Sequence, residues 1–82
     1  MTRKEIFDKL KQIVADVKNV DISSLDALTE ESDIKKDLGL NSIGMLYVVI
    51  KTEKEFGFSM SDFELDGFTA VKDVIDVIEE SI

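Results

Sequence analysis

Between Ile43 and Ile50 seven of eight residues are apolar, broken only by Gly44. A run that dense must be covered by other parts of the chain along much of its length. Tyr47-Val48-Val49-Ile50 has strong β preference and would allow a strand. The helical neighbours and the missing hairpin signal favour a helix instead, from about Ser42 to Phe56. Gly57 would end it, at a position where left-handed backbone is easiest for glycine. With Met45, Val48, Val49, Thr52 and Phe56 turned to the core, Leu46, Tyr47 and Ile50 are left near solvent.

The flanking segments supply the cover. Ile6, Phe7, Leu10, Ile13, Val14 and Val17 recur at three- and four-residue spacing, predicting an amphipathic helix over about residues 3–18. Thr2 and Glu5 have the capping-box pattern that would start it. Residues 19–41 have no single period. Their apolar residues Val20, Ile22, Leu25, Leu28, Ile34 and Leu38 are too frequent for a slack linker and are expected to pin a long loop across the helix ends. Ser32 or Asp33 is placed to begin a short helical turn before Gly39. Ser61 and Glu64 repeat the capping pattern for a short helix to about Asp66, stopped by Gly67. Thr69 would then cap a last helix over about 70–81, with Val71, Val74, Ile75, Val77, Ile78 and Ile82 inward. No Pro, repeat or low-complexity stretch divides the chain. The expectation is one domain over residues 1–82: an all-α four-helix bundle with three long helices, one short helix and a long first loop.

Composition narrows the chemistry. With neither Cys nor His, disulfides, thiolate metal sites and the commonest general base are all missing. A chain of 82 residues at 44% hydrophobic must then hold together by side-chain packing. The net charge of −8 argues against nucleic acid, and it is unevenly spread. Residues 1–18 carry five basic and three acidic side chains, residues 19–41 two and six, residues 42–57 two of each, and residues 58–82 one and seven. Asp26 to Asp37 has the length of a calcium-binding loop but puts Glu31 where glycine is required and Asp37 where a bidentate Glu is needed, so no metal site is expected. No apolar run reaches membrane-spanning length and no signal-peptide core opens the chain. Together with the lack of Cys, this makes the cytoplasm the expectation, and the acidic surface suits a soluble monomer.

Asp37-Leu38-Gly39-Leu40-Asn41-Ser42-Ile43 carries the most specific signal. A glycine turn delivers a serine to the start of the second helix, where unpartnered N–H groups and the helix dipole favour an anion. Taken alone, such a serine is an ordinary helix N-cap. The segment closely resembles the prosthetic-group attachment motif of the acyl carrier proteins, loosely Asp-Leu-Gly-x-Asp-Ser-Leu. The resemblance continues to Glu53-Lys54-Glu55-Phe56-Gly57 and covers the chain in length and helix order. It implies that Ser42 carries 4'-phosphopantetheine, with Asp37, Gly39 and Asn41 completing the motif. A phosphopantetheinyl transferase with bound Mg²⁺ would present coenzyme A, whose β-phosphate the serine Oγ attacks. Nothing adjacent in sequence could activate that serine unaided, so the chain is expected to be a carrier and not an enzyme.

Two departures from the family pattern matter. Asn41 stands where the family usually has Asp, keeping an acceptor but losing a charge. That either alters the transferase contact or simply suits the turn. Gly44 and Tyr47 stand where the family often has carboxylates, and Gly44 costs roughly 1 kcal/mol against Ala inside a helix. Close approach of the arm or a partner would account for it. Ile43, Leu46, Tyr47 and Ile50 are therefore either spare core residues or a docking face for partner enzymes. The family's acyl pocket would fall here on Ile34, Val48, Val49, Met60, Leu65 and Phe68, all equally explained as core. The resemblance thus implies thioester-bound acyl groups moved between acyl-loading and acyl-processing enzymes of fatty-acid, polyketide or related biosynthesis. The competing expectation is a small helical interaction module without a prosthetic group, docking through the second helix.

Overall fold

The computed structural model describes residues 1–58 and 68–82. Among the described residues three α-helices carry the architecture: α1 over Arg3–Lys18, α2 over Ser42–Phe56 and α3 over Val71–Ser81. A 3-10 turn, Ile22–Leu25, lies in the first connection. The apolar run 43–50 is helical, so its β preference yields to packing. Among the described residues the sole β feature is an isolated bridge between Asp33 and Ala70. The expected short helix over 61–66, with Ser61, Glu64 and Gly67, lies outside the described residues.

The periodic residues do what their spacing predicts. Ile6, Leu10, Ile13 and Val14 of α1 are buried, as are Met45, Val48, Val49 and Thr52 of α2 and Val71, Val74, Ile75 and Ile78 of α3. Helix α1 packs against both α2 and α3. Phe7, Val17, Phe56 and Val77 are half-buried and close the margins of this core. Each fully buried Ile removes enough apolar surface from water to contribute about 2–3 kcal/mol. Thr52 is the one buried polar residue among those described, and its Oγ1 donates to the Val48 carbonyl at 2.7 Å. The hydroxyl is therefore satisfied within its own helix, leaving the methyl for the core.

The long loop is pinned, but by fewer side chains than its sequence promises. Leu25, Ile34 and Leu38 are buried and Leu28 is half-buried. Val20 and Ile22 are exposed, because the chain leaves α1 through a left-handed Asn19 and the 3-10 turn presents only Leu25 inward. Backbone pairing completes the attachment. The Ile34 N–H donates to the Thr69 carbonyl at 2.9 Å, Val71 N–H to Ser32 at 3.0 Å and Lys72 N–H to Glu30 at 2.8 Å. Arg3 adds an ionic clasp: its guanidinium contacts Glu30 of the loop, Asp76 at 2.7 Å and Glu79 at 3.3 Å on α3. Ile82, expected inward, is exposed, since it follows the last turn of α3.

The helix starts are capped unequally. Thr2 and Glu5 form the capping box of α1. Thr69 does not cap α3. Ala70 occupies the cap position, and the Asp73 carboxylate reaches back to accept the N–H groups of Thr69 and Ala70, each at 3.0 Å. Those bonds, Ala70's foremost, hold the Asp73 pKa below the ordinary aspartate value. A depressed folded pKa makes a contribution that is complete above the unfolded pKa and is lost as pH falls through the folded one. Asp73→Ala should cost about 1 kcal/mol near neutrality. Urea melts from about pH 7 down to about pH 3 should show the wild type losing more stability on acidification than the variant.

Candidate functional site

The site is built at the junction of the loop and α2. Asp33 opens a tight turn: its Oδ1 accepts the N–H groups of Lys35 at 2.8 Å and Lys36 at 2.7 Å. Its backbone carbonyl accepts the Asp37 N–H at 2.9 Å. Asp37 returns the favour through Oδ2, which accepts the Asp33 N–H at 2.7 Å. The motif aspartate is thus a strut of the turn. Gly39 then adopts φ +66, the left-handed backbone that glycine enters without a Cβ penalty. The Lys18 ammonium, from the last turn of α1, donates to the Leu38 carbonyl beside it.

Leu38 and Leu40 are buried on either side of Gly39, so the turn is anchored while its outer edge faces solvent. Asn41, not Ser42, is the N-cap of α2. Its Oδ1 accepts the Gly44 N–H at 2.8 Å and its backbone carbonyl accepts Met45 N–H at 2.8 Å. Ser42 is the first helical residue and is exposed. The ordinary capping duty expected of Ser42 therefore belongs to its neighbour. Asn41→Ala should cost about 1 kcal/mol of stability, readable in a thermal or urea melt.

The same geometry accounts for Gly44. A Cβ there would lie 3.2 Å from Leu40 Cδ2 and 3.4 Å from Asn41 Oδ1. The space a side chain would use is taken by Leu40 and the capping amide, and no approaching arm or partner is required. Among the described residues no acceptor takes the N–H of Ser42 or Ile43. A hydroxyl in the open, beside two spare donors at the positive end of a fifteen-residue helix, suits a phosphodiester.

A recess of about 20 Å³ lies against the serine, lined by Ile34, Lys35, Leu40, Asn41, Ser42, Met45 and Phe68. A second recess of about 20 Å³, lined on the α1 side by Phe7, Leu10, Lys11 and Val14, shares Ile34, Leu40 and Met45 with it. Each holds little more than a water molecule, so neither admits an alkyl chain without side-chain movement. Of the expected pocket residues, Ile34, Val48, Val49 and Phe68 are buried, and Met60 and Leu65 lie outside the described residues. Ile34 and Phe68 line the recess beside Ser42, Val48 lines only the second recess, and Val49 lines neither.

Ile43, Leu46, Tyr47 and Ile50 are 65%, 46%, 56% and 40% exposed. They form a continuous apolar strip running away from Ser42, too exposed to count as core. Sequence reasoning did not find Lys18 or the covering role of Leu40. Lys18 acts across 20 residues of chain on a backbone carbonyl, which leaves no local pattern.

Residues 8–78 match the protein-family model described as "Phosphopantetheine attachment site". Curated relatives with the name acyl carrier protein align over nearly the full chain. That of Coprothermobacter proteolyticus is 38% identical over 82 residues, covering 100% of this chain and 96% of its own. That of Thermotoga maritima is 35% identical over 81 residues, covering 99% and 96%. One from Clostridium perfringens is 36% identical over 75 residues, covering 92% and 95%.

Proposed function

Because this chain belongs to the acyl carrier family, whose attachment domain bears covalent 4'-phosphopantetheine, we propose that Ser42 is the residue modified. The thiol of that group, when bound, holds acyl groups as thioesters. The observation that carries this reading is the division of labour at the start of α2: Asn41 caps the helix, and the Ser42 hydroxyl is left exposed. Family members are carriers rather than catalysts, and the residues around Ser42 position and present it. The turn from Asp33 to Gly39 fixes where α2 begins. Ser42 Oγ would hold the group covalently, and the Ser42 and Ile43 N–H groups would face its phosphate.

The proposal extends to the whole chain as one cytoplasmic, monomeric carrier domain. A phosphopantetheinyl transferase, then acyl-loading and acyl-processing enzymes of fatty-acid, polyketide or related biosynthesis, would meet it at α2. Ile43, Leu46, Tyr47 and Ile50 form the docking strip, since exposed clusters of aromatic and aliphatic side chains mark binding surfaces. A cargo chain would lodge beside Ile34, Met45 and Phe68, with Met45 the side chain best able to yield. No helix among the described residues is long and apolar enough to cross a membrane.

The test is intact mass. Incubation with a promiscuous transferase, coenzyme A and Mg²⁺ should add one phosphopantetheinyl group per chain. A chain whose mass stays unchanged would be an interaction module of another kind.

A further inference from the structure

The turn that leads into Ser42 bonds mostly to itself. Asp37 and Leu38 donate their N–H groups to the Asp33 carbonyl, Asp37 Oδ2 accepts the Asp33 N–H, and the Leu40 N–H donates to Ile34 at 3.3 Å. Among the described residues a single hydrogen bond joins residues 33–42 to α1, from Lys18 Nζ to the Leu38 carbonyl, and that carbonyl has no second donor. Lys18 is the last residue of α1, where the helix dipole favours a cation. Its ammonium also lies against Gly39, at which a Cβ would stand 3.7 Å from Nζ. The tether therefore meets the chain at the left-handed residue that sets the backbone direction into α2. Burial of Leu38 and Leu40 holds the turn in place, but apolar contact has no direction and does not fix the tilt of a peptide. The charge-assisted bond from Lys18 does fix it.

Resting on the assignment of Ser42 as the attachment site, we infer that Lys18 is a positioning residue for its modification. In that step Ser42 Oγ bonds to the β-phosphorus of coenzyme A as the bond to the bridging oxygen breaks. Adenosine 3',5'-bisphosphate leaves, and the hydroxyl proton passes to a base of the transferase. Lys18 touches none of these atoms. It acts through the Leu38–Gly39 peptide, whose plane decides where Leu40 and Asn41 fall. Leu40 lies over Gly44 and Asn41 caps α2, so both pass that placement on to Ser42. A transferase needs the hydroxyl in one placement, and a chain that holds it there only part of the time binds more weakly by that fraction. The tether thus governs how well the carrier is recognised and leaves the chemical step alone.

The experiment follows mass gain of the full-length chain with a promiscuous transferase, coenzyme A and Mg²⁺ at varied carrier concentration, beside amide hydrogen exchange of the unmodified chain. Lys18→Met should raise the KM for the carrier by about fivefold, the factor by which one hydrogen bond of typical net strength shifts a population, and leave kcat nearly unchanged. Lys18→Arg, which still donates from a cation, should restore KM. Lys4→Met removes the same charge from the exposed start of α1 and should leave KM alone. The Leu38, Leu40 and Gly44 amides of Lys18→Met should exchange faster by a similar factor, with the interior of α3 unchanged. An unchanged KM, an equal rise in Lys4→Met or no rescue by arginine would overturn the proposal. So would exchange that quickens across all three helices, because Lys18 would then support the fold at large. Exchange needs no transferase. A wild type that gains no mass at Ser42 therefore sinks the attachment reading, whereas unchanged exchange in Lys18→Met sinks the tether.

Discussion

Ser42→Ala should gain no phosphopantetheinyl mass under conditions in which the wild type is converted completely, and its melting curve should barely move. The two halves of that expectation come from the same geometry. Removing the hydroxyl removes the only atom of Ser42 that can be phosphorylated, and alanine offers the transferase no nucleophile. The helix keeps its cap, because Asn41 Oδ1 still accepts the Gly44 N–H. A surface substitution away from caps and core changes stability by no more than about 0.5 kcal/mol. Residual conversion of Ser42→Ala would move the attachment to another hydroxyl, such as exposed Ser23 or Ser24 in the 3-10 turn. A large loss of stability would mean that Ser42, and not Asn41, carries the helix start. Intact mass and a urea melt on the same preparation separate these outcomes.

Ile75→Ala should produce the opposite pattern, with large damage to the fold and none aimed at the site. Ile75 is 0% exposed and sits on the buried face of α3, the helix that α1 covers. Truncating a buried Ile costs about 2–5 kcal/mol, as lost transfer free energy plus the cavity left behind. In a domain of this size each kcal/mol lowers Tm by about 4–8 °C, so a fall of at least about 8 °C is expected. The whole stability of such a domain is only about 5–10 kcal/mol, and a substantial unfolded population at moderate temperature follows. A thermal melt by circular dichroism decides it. A fall below about 1 kcal/mol would mean that the three-helix core collapses around the void far better than close packing allows.

Most of the helical frame is legible in the sequence because it depends on short-range spacing. The stripe in α1, the Thr2–Glu5 box and the Gly57 stop all involve residues within a few positions of one another, and each is realised. The strip Leu46, Tyr47 and Ile50 is equally legible, since fixing Met45, Val48, Val49 and Thr52 inward leaves it no other place. What escapes is whatever depends on contact between segments. Asp73 caps α3 from within the helix, and a reader looking ahead of the helix settles on Thr69. Gly44 invites an external explanation because Leu40, four residues earlier, gives no sign in sequence that it folds over the helix start. Val20 and Ile22 have the composition of anchors, yet the chain direction after Asn19 turns them to water. At the site, the motif spacing locates Ser42, and the Asn41 cap and the Lys18 tether appear only in three dimensions.

The pairing of residues 30–34 with the start of α3 has a mechanical corollary. Three backbone hydrogen bonds and the Arg3 clasp make that stretch and α3 a single girder, whose far end is the Asp33 turn feeding directly into Ser42. The start of α3 is therefore tied by backbone to the loop that leads into Ser42, and not only to the helix α1 that covers it.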